Sequence, residues 1–207
     1  MNNIEDVSIK DIDINFVSSM IPIFMNALYD EESLKSVSLE EIRDAFRLKQ
    51  VQSKSWLLDK IKDFDRDLPL LVIGSWLGFT SLCLHKLGFT SIDETDIDPR
   101  LSRISNHVNR FNKEFQHFSY DINDLDLSKY KLIINTSCEH INNNIWYDNI
   151  ISGTKLVLHS NNLLGYDHVN ICQDLKEMIN KYPMKIYYGG SLNFQSYKRF
   201  MLVGEKY

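Results

Sequence analysis

From Pro69 to His159, short apolar runs alternate with stretches of helical periodicity, and no other feature restricts the possible folds as far. Leu70-Leu71-Val72-Ile73 is a continuous apolar run closed by Gly74, the pattern of a strand buried on both faces. Runs of the same kind return at 91–95, 115–120, 132–134 and 155–159. Helical stretches separate or follow them: 79–87 closed by Gly88, 100–111 opened by Pro99, 141–151, and 169–182 ahead of Pro183. Strands and helices at this spacing demand a parallel sheet with right-handed crossovers. The chain then changes character. Segments 184–188 and 198–204 flank Gly189-Gly190 with no room for a helical crossover, which predicts an antiparallel hairpin at one sheet edge. The expectation is an α/β fold over residues 67–207, a mostly parallel seven-stranded sheet with an antiparallel C-terminal hairpin.

Residues 1–66 read as an N-terminal helical cap. Val17, Met20, Ile21, Phe24 and Leu28 recur at helical spacing around Pro22. An acidic turn, Asp30-Glu31-Glu32, follows. Ser38-Leu39-Glu40-Glu41 then has capping-box form, since the serine hydroxyl can accept one orphan amide while Glu41 reaches back to another. A short third helix is expected over 56–64, after a polar break at Gln52-Ser53-Lys54-Ser55, with Trp56 the aromatic that faces a pocket. No Gly- or Pro-rich linker intervenes, so these helices pack on the main domain or cover its ligand.

Composition narrows the class. At 43% hydrophobic over 207 residues the chain can bury a sizeable core, which excludes disorder. With 23 basic residues against 28 acidic, net charge −5, it lacks the basic balance of a nucleic-acid binder. Cys83, Cys138 and Cys172 are odd in number without CxxC spacing, which argues against a disulfide framework or structural zinc and predicts a cytoplasmic protein. The polar, acidic opening MNNIEDVSIKDID predicts no signal peptide, and no apolar run reaches the ~18 residues of a membrane helix.

Open α/β sheets bind ligands beyond the carboxyl ends of their strands. Four successive strand ends here are polar: Gly74-Ser75-Trp76-Leu77-Gly78, Asp96-Ile97-Asp98, Asp121-Ile122-Asn123-Asp124, and Asn135-Thr136-Ser137-Cys138-Glu139-His140. The glycines permit a tight turn, though two glycines are not the GxGxxG dinucleotide fingerprint. Asp96 follows Gly74 by 22 positions, the spacing of an acid that accepts from ribose hydroxyls. Each cluster also has a local reading: Asp98 as a helix cap, Asp121 and Asp124 as turn residues, Glu139 at a helix N-terminus.

The series LLVIGSWLGFTSLCL, SIDETDIDP, SYDIND and LIINTSCEHI, ending in an edge hairpin, resembles the class I S-adenosylmethionine-dependent methyltransferases. IINTSCEH is similar to strings in phage-encoded members, which would place the protein in the cytoplasm of a bacterial host. The resemblance implies a Rossmann-like domain with S-adenosylmethionine as cofactor. It implies Gly74, Ser75, Trp76 and Gly78 at the methionine portion, Asp96 and Ile97 at the ribose, and Asp121 and Ile122 at the adenine. Asn135 would form the floor near the sulfonium. Three positions depart from the family pattern: Val72 replaces an acid, Trp76 a second glycine, and Lys131 an aspartate. The Asn/Asp-Pro-Pro-aromatic and Pro-Cys motifs of nucleic-acid methylating members are absent, so a small-molecule substrate is expected, with no nucleic acid, no membrane and no oligomeric state specified.

Methyl transfer requires a positioned nucleophile and a base. The expected base is His140, oriented by Glu139, with a structural histidine as the competing reading. Cys138 is expected to pack, and three consecutive residues Cys138-Glu139-His140 do not converge on one ion, so no metal is expected. His159, Tyr187, Tyr188, Tyr197 and Arg199 are candidates to shape an acceptor pocket. Two further functions stay open: transfer of the aminocarboxypropyl group, as in nicotianamine-synthase-like proteins, and a non-catalytic binding or scaffold role.

Overall fold

A computed structural model of the chain describes residues 3–28, 35, 37–165 and 167–207. The turn expected at Asp30-Glu31-Glu32 lies outside the described residues. In chain order the elements are β1 (Asn3–Val7), α1 (Asn15–Ala27), α2 (Leu39–Ala45), α3 (Leu48–Ile61), β2 (Leu70–Ile73), α4 (Phe79–Lys86), β3 (Ile92–Thr95), α5 (Pro99–Val108), β4 (Gln116–Phe118), β5 (Leu132–Asn135), α6 (Ile145–Asp148), β6 (Lys155–Asn161), α7 (Leu175–Lys181), β7 (Met184–Asn193) and β8 (Lys198–Lys206). The chain divides into two compact units, one comprising residues up to Asp11 together with Leu125–Tyr207, the other Ile12–Asp124.

In the Ile12–Asp124 unit, β2, β3 and β4 run parallel, with Ile73 beside Thr95 and Thr95 beside Phe118. Every residue of β2 is buried, as its unbroken apolar run requires. Ser38 and Glu41 complete the capping box of α2: the Ser38 hydroxyl accepts from the Glu41 amide at 3.1 Å, and the Glu41 carboxylate accepts from the Ser38 amide at 2.7 Å. These bonds hold the Glu41 carboxyl below its ordinary range, and Arg100 of α5 approaches it at 3.2 Å. Helix α3 begins eight residues ahead of the expected Trp56, because the polar stretch at 52–55 is helical. Ser53 is buried and its hydroxyl is satisfied inside the helix by donating to the Lys49 carbonyl at 2.7 Å, whereas the buried Ser55 hydroxyl has no hydrogen-bond partner. Trp56 is 2% exposed, a core residue. The rings of Phe24 (α1), Phe46 (after α2) and Phe79 (first residue of α4) meet edge to face with centroids 4.9 to 5.4 Å apart. The N-terminal helices thereby brace the start of α4.

In the other unit, β5 and β6 are parallel, β6 and β8 antiparallel, β8 and β7 antiparallel, and β7 and β1 parallel. The expected C-terminal hairpin is present, but Gly189-Gly190 lies within β7 and not in its turn. A bulge between Ile186 and Tyr188 interrupts the register. Strand β1 raises the count among the described residues to eight, against the expected seven. The helices here are shorter than their periodicity suggests. In place of 141–151, α6 spans Ile145–Asp148, since Asn142-Asn143-Asn144 favours turns and the Asn143 side chain accepts from the Ile145 amide at 3.0 Å. In place of 169–182, α7 spans Leu175–Lys181, started by Asp174, which accepts from the Glu177 amide at 2.8 Å.

Candidate functional site

The candidate residues fall in both units. Those of Ile12–Asp124 follow the ends of β2, β3 and β4. Gly74, Trp76 and Gly78 all have positive φ, at 65°, 52° and 75°. Glycine reaches this region freely, whereas a bulky L-residue there costs about 1–2 kcal/mol. Trp76 is held there by a bond: its amide donates to Asp96 Oδ2 at 2.9 Å. Asp96 Oδ1 in turn accepts from the Asp98 amide at 3.1 Å. Each carboxylate oxygen thus has one backbone donor and keeps a lone pair for a further one. The departure seen in the sequence, tryptophan in a glycine position, leaves the backbone in the shape glycine would give.

Gly78 serves packing. A Cβ there would lie 2.2 Å from Ser105 Oγ and 2.7 Å from Asn109 Nδ2, so helix α5 occupies the side-chain space. Asn109 Nδ2 also donates to the Gly78 carbonyl at 3.1 Å. The remaining strand ends are tied in by the backbone. The Asp96 amide donates to the Phe118 carbonyl at 3.2 Å, and Thr95 Oγ1 donates to the Tyr120 carbonyl at 3.0 Å. Asp121 is exposed, with Oδ1 accepting from the amide and side chain of Asn123. Ile122 is buried and Ile97 is exposed. Asp98 fills the local role open to it, accepting from the Arg100 amide at 3.0 Å, and the Arg100 guanidinium keeps its carboxyl below the usual range.

Sequence reasoning passed over the group beneath this turn. Glu94 of β3 is fully buried and accepts from Ser81 of α4 and Ser105 of α5, while His117 Nδ1 of β4 lies 2.7 Å from Oε1. Burial pushes the Glu94 carboxyl above its ordinary value, and the bond to His117 pulls it partly back. Its position two residues before Asp96 is a weak local signal, since the strand also carries Asp93.

In the unit containing Leu125–Tyr207, Asn135 ends β5 fully buried. Its Oδ1 accepts from the Ser137 amide at 2.9 Å, and its Nδ2 has no protein partner. A 3₁₀ turn over Cys138–His140 follows. Cys138 turns into the core, where burial raises its thiol pKa and leaves it inert. Glu139 is 2% exposed; Oε1 accepts from Asn161 Nδ2, and Oε2 is buried without a partner. His140 is exposed, with Nδ1 3.2 Å from both the carbonyl and the Oδ2 of Asp167. Asn161, Asp167 and His168 join these residues from β6 and the loop after it, and nothing local in the sequence marks them. The five pocket candidates are not gathered. Arg199 lies opposite Asn161 in the β6–β8 ladder, and His159 Nε2 lies 3.0 Å from the Met201 sulfur. Tyr197 stacks near Phe194, Tyr188 is buried in β7, and Tyr187 donates to Glu205 at the far end of the hairpin.

No protein-family model and no curated protein matches the chain. Solved structures do. The geranyl diphosphate C-methyltransferase of Streptomyces coelicolor A3(2), in complex with Mg²⁺, geranyl diphosphate and S-adenosyl-L-homocysteine, is similar with a TM-score of 0.62 at 11% identity, over 93% of this chain and 98% of that one. The N-methyltransferase NodS of Bradyrhizobium japonicum WM9 is similar with a TM-score of 0.61 at 12% identity, over 78% of this chain and 98% of that one. The tRNA (uracil-54, C5)-methyltransferase of Pyrococcus abyssi, in complex with S-adenosyl-L-homocysteine, is similar with a TM-score of 0.55 at 10% identity, over 74% of this chain but only 38% of that one. Parallel strands alternating with helices, closed by the β7–β8 hairpin, give this chain the fold of the class I S-adenosylmethionine-dependent methyltransferases.

Proposed function

We propose that the protein binds S-adenosylmethionine and methylates a small-molecule acceptor. The observation that carries this reading is the Trp76–Asp96 bond. A strained turn between β2 and α4 is fixed by a carboxylate that still has acceptor capacity on both oxygens. Cofactor hydroxyls fit that capacity. In this reading Gly74, Ser75, Trp76 and Gly78 shape the turn at the methionine portion. Asp96 takes the ribose hydroxyls with Ile97 adjoining, and Asp121 and Ile122 serve the adenine. When bound, the cofactor supplies an electrophilic methyl group on a sulfonium. His140 is the proposed proton acceptor: with Nδ1–H donated to the Asp167 carbonyl, Nε2 carries the lone pair. The small-molecule acceptor is supported by the net charge of −5 and by the name of the geranyl diphosphate enzyme.

Calorimetric titration with S-adenosylhomocysteine tests the reading. The parent chain should bind, and Asp96→Ala should lose roughly 3 kcal/mol of binding free energy, two charge-assisted bonds at about 1.5 kcal/mol each. Asp96→Asn should lose less. Absence of heat at millimolar ligand from the folded parent would overturn the proposal. Turnover products then distinguish the transfers, S-adenosylhomocysteine marking methyl transfer and methylthioadenosine marking aminocarboxypropyl transfer.

A further inference from the structure

Glu139, His140 and His168 form a cluster of which the methyl-transfer reading uses only His140. Each offers one ligand atom, and these atoms lie within 4.8 Å of one another. Being consecutive, Cys138, Glu139 and His140 do not converge on one ion. The 3₁₀ turn sends Cys138 into the core, and the third ligand comes instead from the loop after β6.

Three independent features suit a cation. Glu139 is 2% exposed with Oε2 buried and unpartnered, a carboxylate oxygen that protein groups leave unsatisfied. Both imidazoles are set in the tautomer a metal needs: His140 Nδ1 lies 3.2 Å from the Asp167 carbonyl, and His168 Nδ1 lies 2.8 Å from the Leu163 carbonyl. A carbonyl accepts only from N–H, so each ring keeps its lone pair on Nε2, the arrangement that outer partners impose on metal-binding histidines. The rings meet edge to face with centroids 4.6 Å apart, so modest rotation of an exposed and a half-exposed side chain closes the set toward the ~3.3 Å ligand spacing implied by metal–nitrogen bonds of about 2.0 Å. The Asp167 carboxylate, 3.2 Å from His140 Nδ1, adds a second negative charge behind the first ring.

We propose that Glu139, His140 and His168 bind one divalent transition-metal ion of the zinc or cobalt type. Two imidazoles with one carboxylate favour these ions over magnesium and calcium, which take oxygen ligands. Three protein ligands leave at least one coordination position open. A metal there occupies the Nε2 lone pair of His140, so proton acceptance by that residue belongs to the metal-free chain.

The test needs neither cofactor nor acceptor, so its outcome is separate from that of the methyl-transfer proposal. The full chain, stripped with a chelator, is titrated with Co²⁺ and followed by ligand-field absorption, then challenged with Zn²⁺. One cobalt per chain, displaced by zinc, is expected. His168→Ala and His140→Gln should each weaken Co²⁺ binding by at least about a hundredfold, and Asp167→Asn by about tenfold, with metal-free melting temperatures close to the parent's. No absorption band at millimolar Co²⁺ overturns the proposal, as does binding that both histidine variants leave intact.

Discussion

Trp76 is the residue where local preference and native geometry conflict most directly. Its φ of 52° costs about 1–2 kcal/mol, and the bond to Asp96 holds it there. Trp76→Gly removes that strain while losing contacts of a half-buried indole, so its unfolding free energy should stay within about 1 kcal/mol of the parent. Trp76→Val loses the same contacts and adds a β-branched side chain at positive φ, so it should fall about 2 kcal/mol or more below the glycine variant. Urea unfolding of both variants decides the matter; a valine variant as stable as the glycine one would mean that the turn does not keep its positive φ. Asp96 was legible in the sequence as an acid placed just after a strand. Its second duty, accepting the amides of Trp76 and Asp98, was not, because backbone dihedrals leave no mark on a sequence except through glycine and proline.

At the scale of elements, Glu94 joins four of them: β3, which carries it, α4 through Ser81, α5 through Ser105 and β4 through His117. Burial raises its pKa above the ordinary 4.5, with His117 opposing. The folded chain therefore holds this proton more tightly than the unfolded chain, so the contribution to stability is complete below pH 4.5 and is lost as pH rises through the folded value. Glu94→Gln cannot titrate. Its melting temperature relative to the parent's should climb as pH increases from about 4.5, then level off. A difference independent of pH would show that Glu94 is ionised as readily in the folded chain as in water. Strands β2 and β5 were legible as unbroken apolar runs, whereas β3 and β4, with Asp93, Glu94, Gln116 and His117, were legible only from their place between helices. Helix limits were less so. The apolar spacing of 141–151 and 169–182 starts well before the helices do, which begin only after the turn at Asn143 and the cap at Asp174. The serines of 52–55 hid a helix for the opposite reason, since burial and a bond to the preceding turn outweigh their weak propensity.

At the scale of the whole molecule, the three cysteines are internal probes. All are fully buried, Cys83 in one unit and Cys138 and Cys172 in the other. Burial pushes the Cys83 thiol up to about 12 and raises the other two, so neither access nor thiolate is available in the native state. An aromatic disulfide reagent should react with none of them in native buffer and with all three in a single phase as denaturant opens the chain. Two phases, one thiol then two or the reverse, would show the units opening separately. Strand β1 was illegible because Asn3–Val7 is short and carries two acids, and only its pairing with β7 identifies it. That pairing also sets a schedule. Ile4 lies beside Gly189, so β1 leaves the ribosome some 185 residues before its partner exists, a delay of roughly 10–40 s at ordinary elongation rates. For that interval a strand-forming segment is exposed without its neighbour. Glu5 and Asp6, the same charges that conceal β1 from a hydrophobic pattern, give the nascent chain a guard against pairing with the wrong edge.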